Sequence, residues 1–397
     1  MSTPLRIAVV TDKVEPFFIG GYERKLATYA RVLADRHEVR VYTTLDHKDA
    51  AIGRVKFKQL VPRAPFQKWH ASRSLLHSAV FASSLIRSPF GDWEPDVVLI
   101  EAIPYVHLPL VGRWIRRSGI PAILFVEEAW VSYRYFPGIV SPVSGRALRG
   151  MLSDAVSWAA KTVTTSSVTT STLRTSFGAK NLITIHDGTD LSQILDASAS
   201  NLSPRYDFVS LGRLVRTKRV SEFIDGLASL QKEYGWSGRA IVIGAGPEEA
   251  RLKRLILEHS LAEHVEVTGF LREIEVHEVL RRSRSIVLCS EREGFSQSTL
   301  LAMAFGVVPL VAKPRFPEVF GVSDLVADGV TGMYFELGNR RALVERMNWL
   351  LNHPEDFNQL SSSARNVALQ HDWKRQAAIL EEQILLAVGV NTIETTA

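Results

Sequence analysis

The sequence of 397 residues has a single cysteine, Cys289. That excludes an internal disulfide and suits a reducing compartment, and the residue itself reads as a small buried side chain closing a strand. Long apolar runs are also missing. The run Ile7-Ala8-Val9-Val10 is too short for a signal peptide, and no later stretch approaches the roughly 18 apolar residues of a membrane span. The expectation is a soluble, cytoplasmic protein. No Asp-x-Asp is present to hold a divalent cation on a diphosphate. The 11 histidines include no His-x-x-x-His pair carrying a metalloprotease glutamate. With no cysteine cluster either, no metal site and no cofactor are expected. The Gly-x-Gly-x-x-Gly dinucleotide fingerprint is absent, because Gly244-Ala245-Gly246-Pro247 lacks the third glycine. No nucleic acid partner is expected.

What is present is enough apolar material, 46% of residues, for about two domains. The net charge of +5 is unevenly shared. Residues 1–200 hold 24 Lys+Arg against 17 Asp+Glu, and residues 201–397 hold 23 against 25. Much of the excess is Arg54, Lys56, Lys58, Arg63, Lys68, Arg73 and Arg87, interleaved with Phe66, Trp69, Leu75, Leu76 and Phe81 at near-helical spacing. Two readings stand: a surface helix with a basic outer face, or a segment that lies on an anionic membrane or acceptor.

Short apolar runs alternate with helical patterns along the chain. Leu5–Thr11, Glu38–Thr43, Asp96–Ile100, Ala122–Val126 and Ala160–Thr165 read as strands, with a helix at Gly21–Asp35. A loose polar stretch from Asp196 to Pro204 then reads as a linker. Afterwards strands at Asp207–Leu211, Ala240–Gly244, Val265–Thr268 and Ile286–Cys289 alternate with helices at Ser221–Tyr234, Glu248–His259 and Glu275–Ser283. Such alternation predicts an α/β protein of two doubly wound, Rossmann-like domains, 1–195 and 207–372, joined through 196–206. Residues 373–397 form a final helix. Ligands of open parallel sheets bind beyond the carboxyl ends of the strands, so a cleft between the two domains is the expected site.

The richest stretch is Ser290-Glu291-Arg292-Glu293-Gly294-Phe295-Ser296-Gln297-Ser298, which sets Glu293 at a strand-to-helix turn before a helix ended by Gly306. Helix-start amides favour phosphate, and a carboxylate accepts hydrogen bonds from sugar hydroxyls. Gly212-Arg213-Leu214-Val215-Arg216-Thr217-Lys218 follows another strand. Its Arg213 fork and Lys218 point charge can neutralise a diphosphate and stabilise it as a leaving group. Gly20-Gly21-Tyr22-Glu23 opens a helix and lets a ligand approach the backbone, although a plain tight turn reads equally well. His107 and His186 are the histidines nearest to strand ends.

In order and spacing these segments resemble the retaining, nucleotide-sugar-dependent glycosyltransferases of the GT-B fold, glycosyltransferase family 4. The matching segments are Gly20-Gly21-Tyr22-Glu23, His186-Asp187-Gly188-Thr189-Asp190, Gly212-Arg213 with Lys218, Gly244-Ala245-Gly246-Pro247, Thr268-Gly269-Phe270, Glu293-Gly294-Phe295, Ala302 to Gly306 with Pro309, Asp328 to Gly332, and Trp373. The resemblance implies two domains facing across a cleft, with the last helix crossing back to the first. It implies a hexosyltransferase that carries a sugar, without a metal, from a UDP- or GDP-sugar to a glycan, lipid-linked or small-molecule acceptor. A place in the cytoplasm or peripherally at the inner face of the membrane goes with it. Arg213 and Lys218 would grip the diphosphate and Glu293 the sugar. Gly20, Gly21, Gly269, Phe270, Gly294, Phe295, Ser296, Gln297 and Leu301 would line the donor site.

Three departures from the family stand out. The second glutamate, eight residues after the first, holds the ribose hydroxyls in the family; here it is Leu301. One charged hydrogen bond is worth about 1.5–3 kcal/mol, so donor binding should weaken roughly ten- to a hundredfold. Glu127-Glu128 stand where a histidine nears the reacting carbon, and Glu127 is the candidate to accept a proton or offset positive charge there. Ser296 replaces a glycine and Asp187 an asparagine. These losses keep open a non-catalytic relative serving as a binding or scaffold subunit, and a different phosphate-ester enzyme on the same fold.

Overall fold

The computed structural model describes residues 3–18, 21–46, 49–62, 75–129, 142–192, 194, 204–315 and 320–390. They divide into two compact units, one of residues 1–187 with 373–397, the other Gly188–Asp372.

The first unit is built on eight strands: β1 (Arg6–Val10), β2 (Glu38–Leu45), β3 (Asp49–Ile52), β4 (Val55–Pro62), β5 (Val97–Glu101), β6 (Ala122–Val126), β7 (Lys161–Thr164) and β8 (Leu182–Thr184). They lie in the order β3-β4-β2-β1-β5-β6-β7-β8, parallel except for the β3–β4 pair. β1, β5 and β6, apolar but for Arg6 at the start of β1 and Glu101 at the end of β5, are central because helices cover both faces of a parallel sheet. Those helices are α1 (Gly21–Leu33), α2 (Leu75–Ser84), α3 (Leu108–Ser118), α4 (Pro142–Trp158) and α5 (Ser167–Phe177). Ser166 caps α5 by accepting from the Thr169 amide at 3.2 Å, and Gly178 ends it at φ 66°.

The second unit carries β9 (Tyr206–Leu211), β10 (Ala240–Ile243), β11 (Val265–Gly269), β12 (Ser283–Leu288), β13 (Val308–Lys313) and β14 (Met333–Glu336). Its order is β11-β10-β9-β12-β13-β14, parallel throughout. The helices α6 (Val220–Tyr234), α7 (Glu249–Glu258) and α10 (Arg340–Asn352) bury one face of this sheet. On the other face lie α8 (Glu273–Arg281), α9 (Gln297–Ala304) and α11 (Pro354–Ala368). The last helix, α12 (Trp373–Val388), belongs to the first unit. Trp373, Ala377, Leu380 and Ile384 pack with Leu26, Tyr29, Ala30 and Leu33 of α1. Buried Glu381 meets His37 at 3.0 Å and Arg36 at 2.7 Å.

Two expectations are corrected here. Arg54, Lys56 and Lys58 lie on an edge hairpin, not a helix. Alternating Val55 and Phe57 point inward, while Lys56 meets Glu38 at 3.4 Å and Lys58 meets Asp49 at 3.0 Å. Arg63, Phe66, Lys68, Trp69 and Arg73 lie outside the described residues. The boundary between units also comes earlier than residue 195. Ile194 is buried in the core of the second unit, and the Thr189 amide donates to the His371 carbonyl at 2.8 Å. Most of the expected linker, 196–203, lies outside the described residues.

Trp373 stands edge-on to Tyr29, 5.6 Å between ring centroids, and fixes the start of α12. Trp373→Ala should cost roughly 3–5 kcal/mol in urea unfolding. A change under about 1 kcal/mol would mean that α12 is held elsewhere.

Candidate active site

In the second unit the direction of strand addition reverses between β9 and β12, so the loops leaving these two strands part and open a crevice at their carboxyl ends. From β9 the chain runs through Gly212 and Arg213 into a single 3-10 turn, Arg216–Lys218, and then α6. This loop is braced by its neighbour after β10. The amides of Gly212 and Leu214 donate to the carbonyls of Ile243 and Ala245, both at 3.0 Å. A Cβ on Gly244 or Gly246 would run into the carbonyl oxygen of Gly212 or Leu214, so these glycines serve backbone packing.

The loop leaving β12 is tied on two sides. The Glu291 amide donates to the Thr217 carbonyl at 2.9 Å, and the Gly321 amide donates to the Glu293 carbonyl at 2.8 Å. Glu293, 8% exposed, is thereby brought to Lys218, with Nζ to Oε1 at 2.6 Å. Arg213 sits five residues before Lys218 on the same loop, exposed and without a partner among the described residues. Ser296 precedes α9 at φ 80°, a left-handed conformation costing roughly 1–2 kcal/mol for a non-glycine residue. Its hydroxyl is 2.7 Å from that of Thr299. The Leu300 amide donates to the Ser296 carbonyl at 3.1 Å and so opens the first turn of α9.

The remaining donor-side expectations divide. Phe295 is buried against His371 and Leu301 packs against the same core, so Phe295 offers a ligand its backbone and Leu301 an apolar wall. Gly294 links Glu293 to that core residue. Gly269 closes β11 at φ 73°, and Phe270 after it is 59% exposed. A hollow of about 220 Å³ opens beside the β9 loop, lined by Arg216, Arg219, Ser221, Glu248, Arg251 and Glu291. It contains neither Lys218 nor Glu293. Among the described residues no group of three or more His, Cys, Asp or Glu is placed to hold a metal.

The first unit has its own polar cluster at strand ends. Glu127, directly after β6, and Asp187, beyond β8, both meet Lys25 of α1, with Nζ to oxygen distances of 3.1 and 3.2 Å. The hydroxyls of Thr165 and Thr169 donate to the Glu127 carbonyl at 3.2 and 3.1 Å. All three charged side chains are buried, and the Lys25 ammonium lies 5.8 Å from the Phe125 ring centroid. Burial opposes the Lys25 charge, but Glu127 and Asp187 outweigh it and hold the ammonium above its usual range. Burial pushes the Glu127 carboxyl up to about 7 while Lys25 pulls it down. Sequence reasoning singled out Glu127 and Asp187 but missed Lys25, whose only signal was a cation on the inward face of an amphipathic helix. It also missed the β1/β5 switch point, where the Thr11 hydroxyl donates to Glu101 at 2.7 Å and buried Asp12 lies 4.0 Å from His77. There the signal was positional: each is among the first polar residues after an apolar strand. Gly21 begins α1 and is exposed, whereas Gly20 lies outside the described residues. His107 is buried against Phe81.

Residues 19–193 match the family described as Glycosyltransferase Family 4, and residues 195–367 match Glycosyl transferases group 1. Alpha-D-kanosaminyltransferase of Streptomyces kanamyceticus is 27% identical over 154 residues, 39% of this chain and 38% of that protein. The chain thus spans about two fifths of the length of the curated relatives it matches. Among solved structures, sucrose-phosphate synthase from Thermosynechococcus elongatus aligns at TM-score 0.80 and 15% identity, over 98% of this chain and 100% of that one. Anabaena HepE in complex with UDP-glucose aligns at TM-score 0.70 and 18% identity, over 96% and 99%. The fold is GT-B.

Two outcomes follow from this geometry. Lys25→Met strands two buried carboxylates, which should cost about 3–5 kcal/mol at pH 8. Without the cation the folded-state pKa of Glu127 rises further above its unfolded value of about 4.3. The penalty is therefore absent below that unfolded value and grows as pH climbs through the interval up to the folded one. Denaturant melts at pH 5 and pH 8 should show the larger loss at pH 8; equal losses would refute the assignment. Gly246→Ala forces the β9 loop to move and should weaken nucleotide diphosphate binding at least about tenfold by calorimetry, with unchanged affinity counting against the brace.

Proposed function

With one half in Glycosyltransferase Family 4 and the other among the glycosyl transferases group 1, the chain belongs to the GT-B glycosyltransferases, and we propose that it is a retaining enzyme transferring a sugar from a UDP- or GDP-sugar to a glycan or lipid-linked acceptor, with peripheral membrane contact. The observation that carries this reading is the Lys218–Glu293 ion pair at the β9/β12 switch point, with exposed Arg213 on the same loop.

In this reading the bond from the anomeric carbon to the diphosphate oxygen breaks and its electron pair leaves on that oxygen. Arg213 and Lys218 stabilise the charge, the task a divalent ion performs elsewhere, so the transfer is metal-independent. An ammonium has three donors, so Lys218 can keep Glu293 while meeting phosphate; the cation is oriented before the donor arrives. Glu293 accepts hydrogen bonds from the sugar hydroxyls. With retention, the acceptor hydroxyl enters from the face that the diphosphate leaves, and its proton passes to the departing phosphate oxygen. Exposed Phe270 offers a platform for the base. The UDP-glucose bound by HepE supports a uridine donor. Buried and bonded to Lys25, Glu127 acts by fixing the β6 end, as a positioning group.

Leu301 in the place of an acid, together with the buried Glu127, favours a second reading, a binding or scaffold subunit. Calorimetry with UDP and GDP separates the two, because a scaffold gives no heat with either. For the enzyme, Lys218→Ala should lower turnover by about 100-fold or more in a chain that still melts cooperatively. Glu293→Gln should lower it comparably, and unaltered turnover in both would sink the assignment.

A further inference from the structure

The segment from residue 50 to residue 91 contains seven Lys and Arg and no Asp or Glu. Inside it, α2 carries no charged residue at all. Its inner face is used by the fold: His77, Ser78, Phe81 and Ala82 are buried, and Leu85 follows them inward. Its outer face is not. Leu76 is 67% exposed, Val80 41% and, one turn beyond the helix, Ile86 66%. With Ala79 and Ser83 they form one uncharged row at helical spacing, which ends at exposed Arg87.

A surface helix in water ordinarily shows charge on its outer face, so such a row asks for a cover. The surrounding charge indicates which one. Lys56 and Lys58 are compensated by Glu38 and Asp49, but Arg87 has no ion-pair partner among the described residues, and no acid stands in its sequence neighbourhood until Asp92. An apolar row that ends in an exposed, uncompensated cation matches a lipid surface. There acyl chains take the apolar side chains and anionic headgroups take the cations. A ten-residue helix is about 15 Å long, so this contact lies along the surface and does not cross it.

We propose that the outer face of α2, with Leu76, Val80, Ile86 and Arg87, is a docking surface for an anionic membrane. The proposal deepens the lipid-linked acceptor reading by naming the surface that reaches it, and it does not depend on the transfer chemistry. The test is flotation of the full chain with vesicles of phosphatidylcholine alone or mixed with phosphatidylglycerol, at low and high salt. The wild type should partition into the anionic vesicles at least about tenfold better than into neutral ones, and lose most of that advantage at high salt. The exposed double variant Leu76→Asp/Val80→Asp should lose about tenfold or more, and Arg87→Ser about fivefold. Both should keep the wild-type melting temperature and the heat of UDP or GDP binding. Equal recovery with both vesicle types, or undiminished flotation of the double variant, overturns the proposal. Equal binding of dextran sulfate by wild type and double variant, without flotation, also overturns it and assigns the cations to a soluble polyanion. Nucleotide heat reports on the second unit, so a failure of docking is distinguishable from a failure of the donor assignment.

Discussion

A parallel sheet covered on both faces has no room for charge except beyond the ends of its strands, and that constraint organises both units. β1, β5, β6, β9 and β12 are buried and apolar in their middles, with Arg6, Asp207 and Arg284 kept to the amino ends, and the charged groups of the candidate sites gather at the carboxyl ends. Glu101, Glu127, Arg213 and Glu293 all stand at such an end or a few residues past it. What distinguishes one end from another is what meets the charge there.

At the β9/β12 end, Glu293 faces Lys218, whose side chain is a quarter exposed, so the pair remains open to an incoming anion. At the β6 end, Glu127 faces Lys25, which is nearly sealed and shared with Asp187. The first arrangement exposes a cation that an anion can reach. The second uses its charges on one another, and with several kcal/mol of desolvation per ion at stake it persists only because every member has a partner. Two clusters of the same residue types thus do opposite work, through burial alone.

The strands and helices were legible because their apolar periods are unambiguous, and the site motifs were legible because Glu293 and Lys218 flank predicted strand ends. The β3–β4 hairpin was not legible. Lysines at alternate positions of β4, one strand in from the sheet edge, mimic the basic face of a helix until Val55 and Phe57 are seen to point the same way. The unit boundary was missed because Thr189 and Ile194 join the second core through a backbone bond and a single side chain, neither of which leaves a compositional mark. The substitution at Ser296 was visible in the sequence, but its left-handed backbone was not. Lys25 escaped because a buried lysine is defined by partners more than a hundred residues away.

The return of α12 to α1 makes the second unit an insertion within the first. On the ribosome, residues 188–372 complete their own core as soon as they emerge, whereas Leu26, Tyr29 and Leu33 wait uncovered until Leu380 and Ile384 have been synthesised. The unit whose residues come first is the last to close. For most of its birth the nascent chain carries an open greasy flank, the interval in which a chaperone has something to hold.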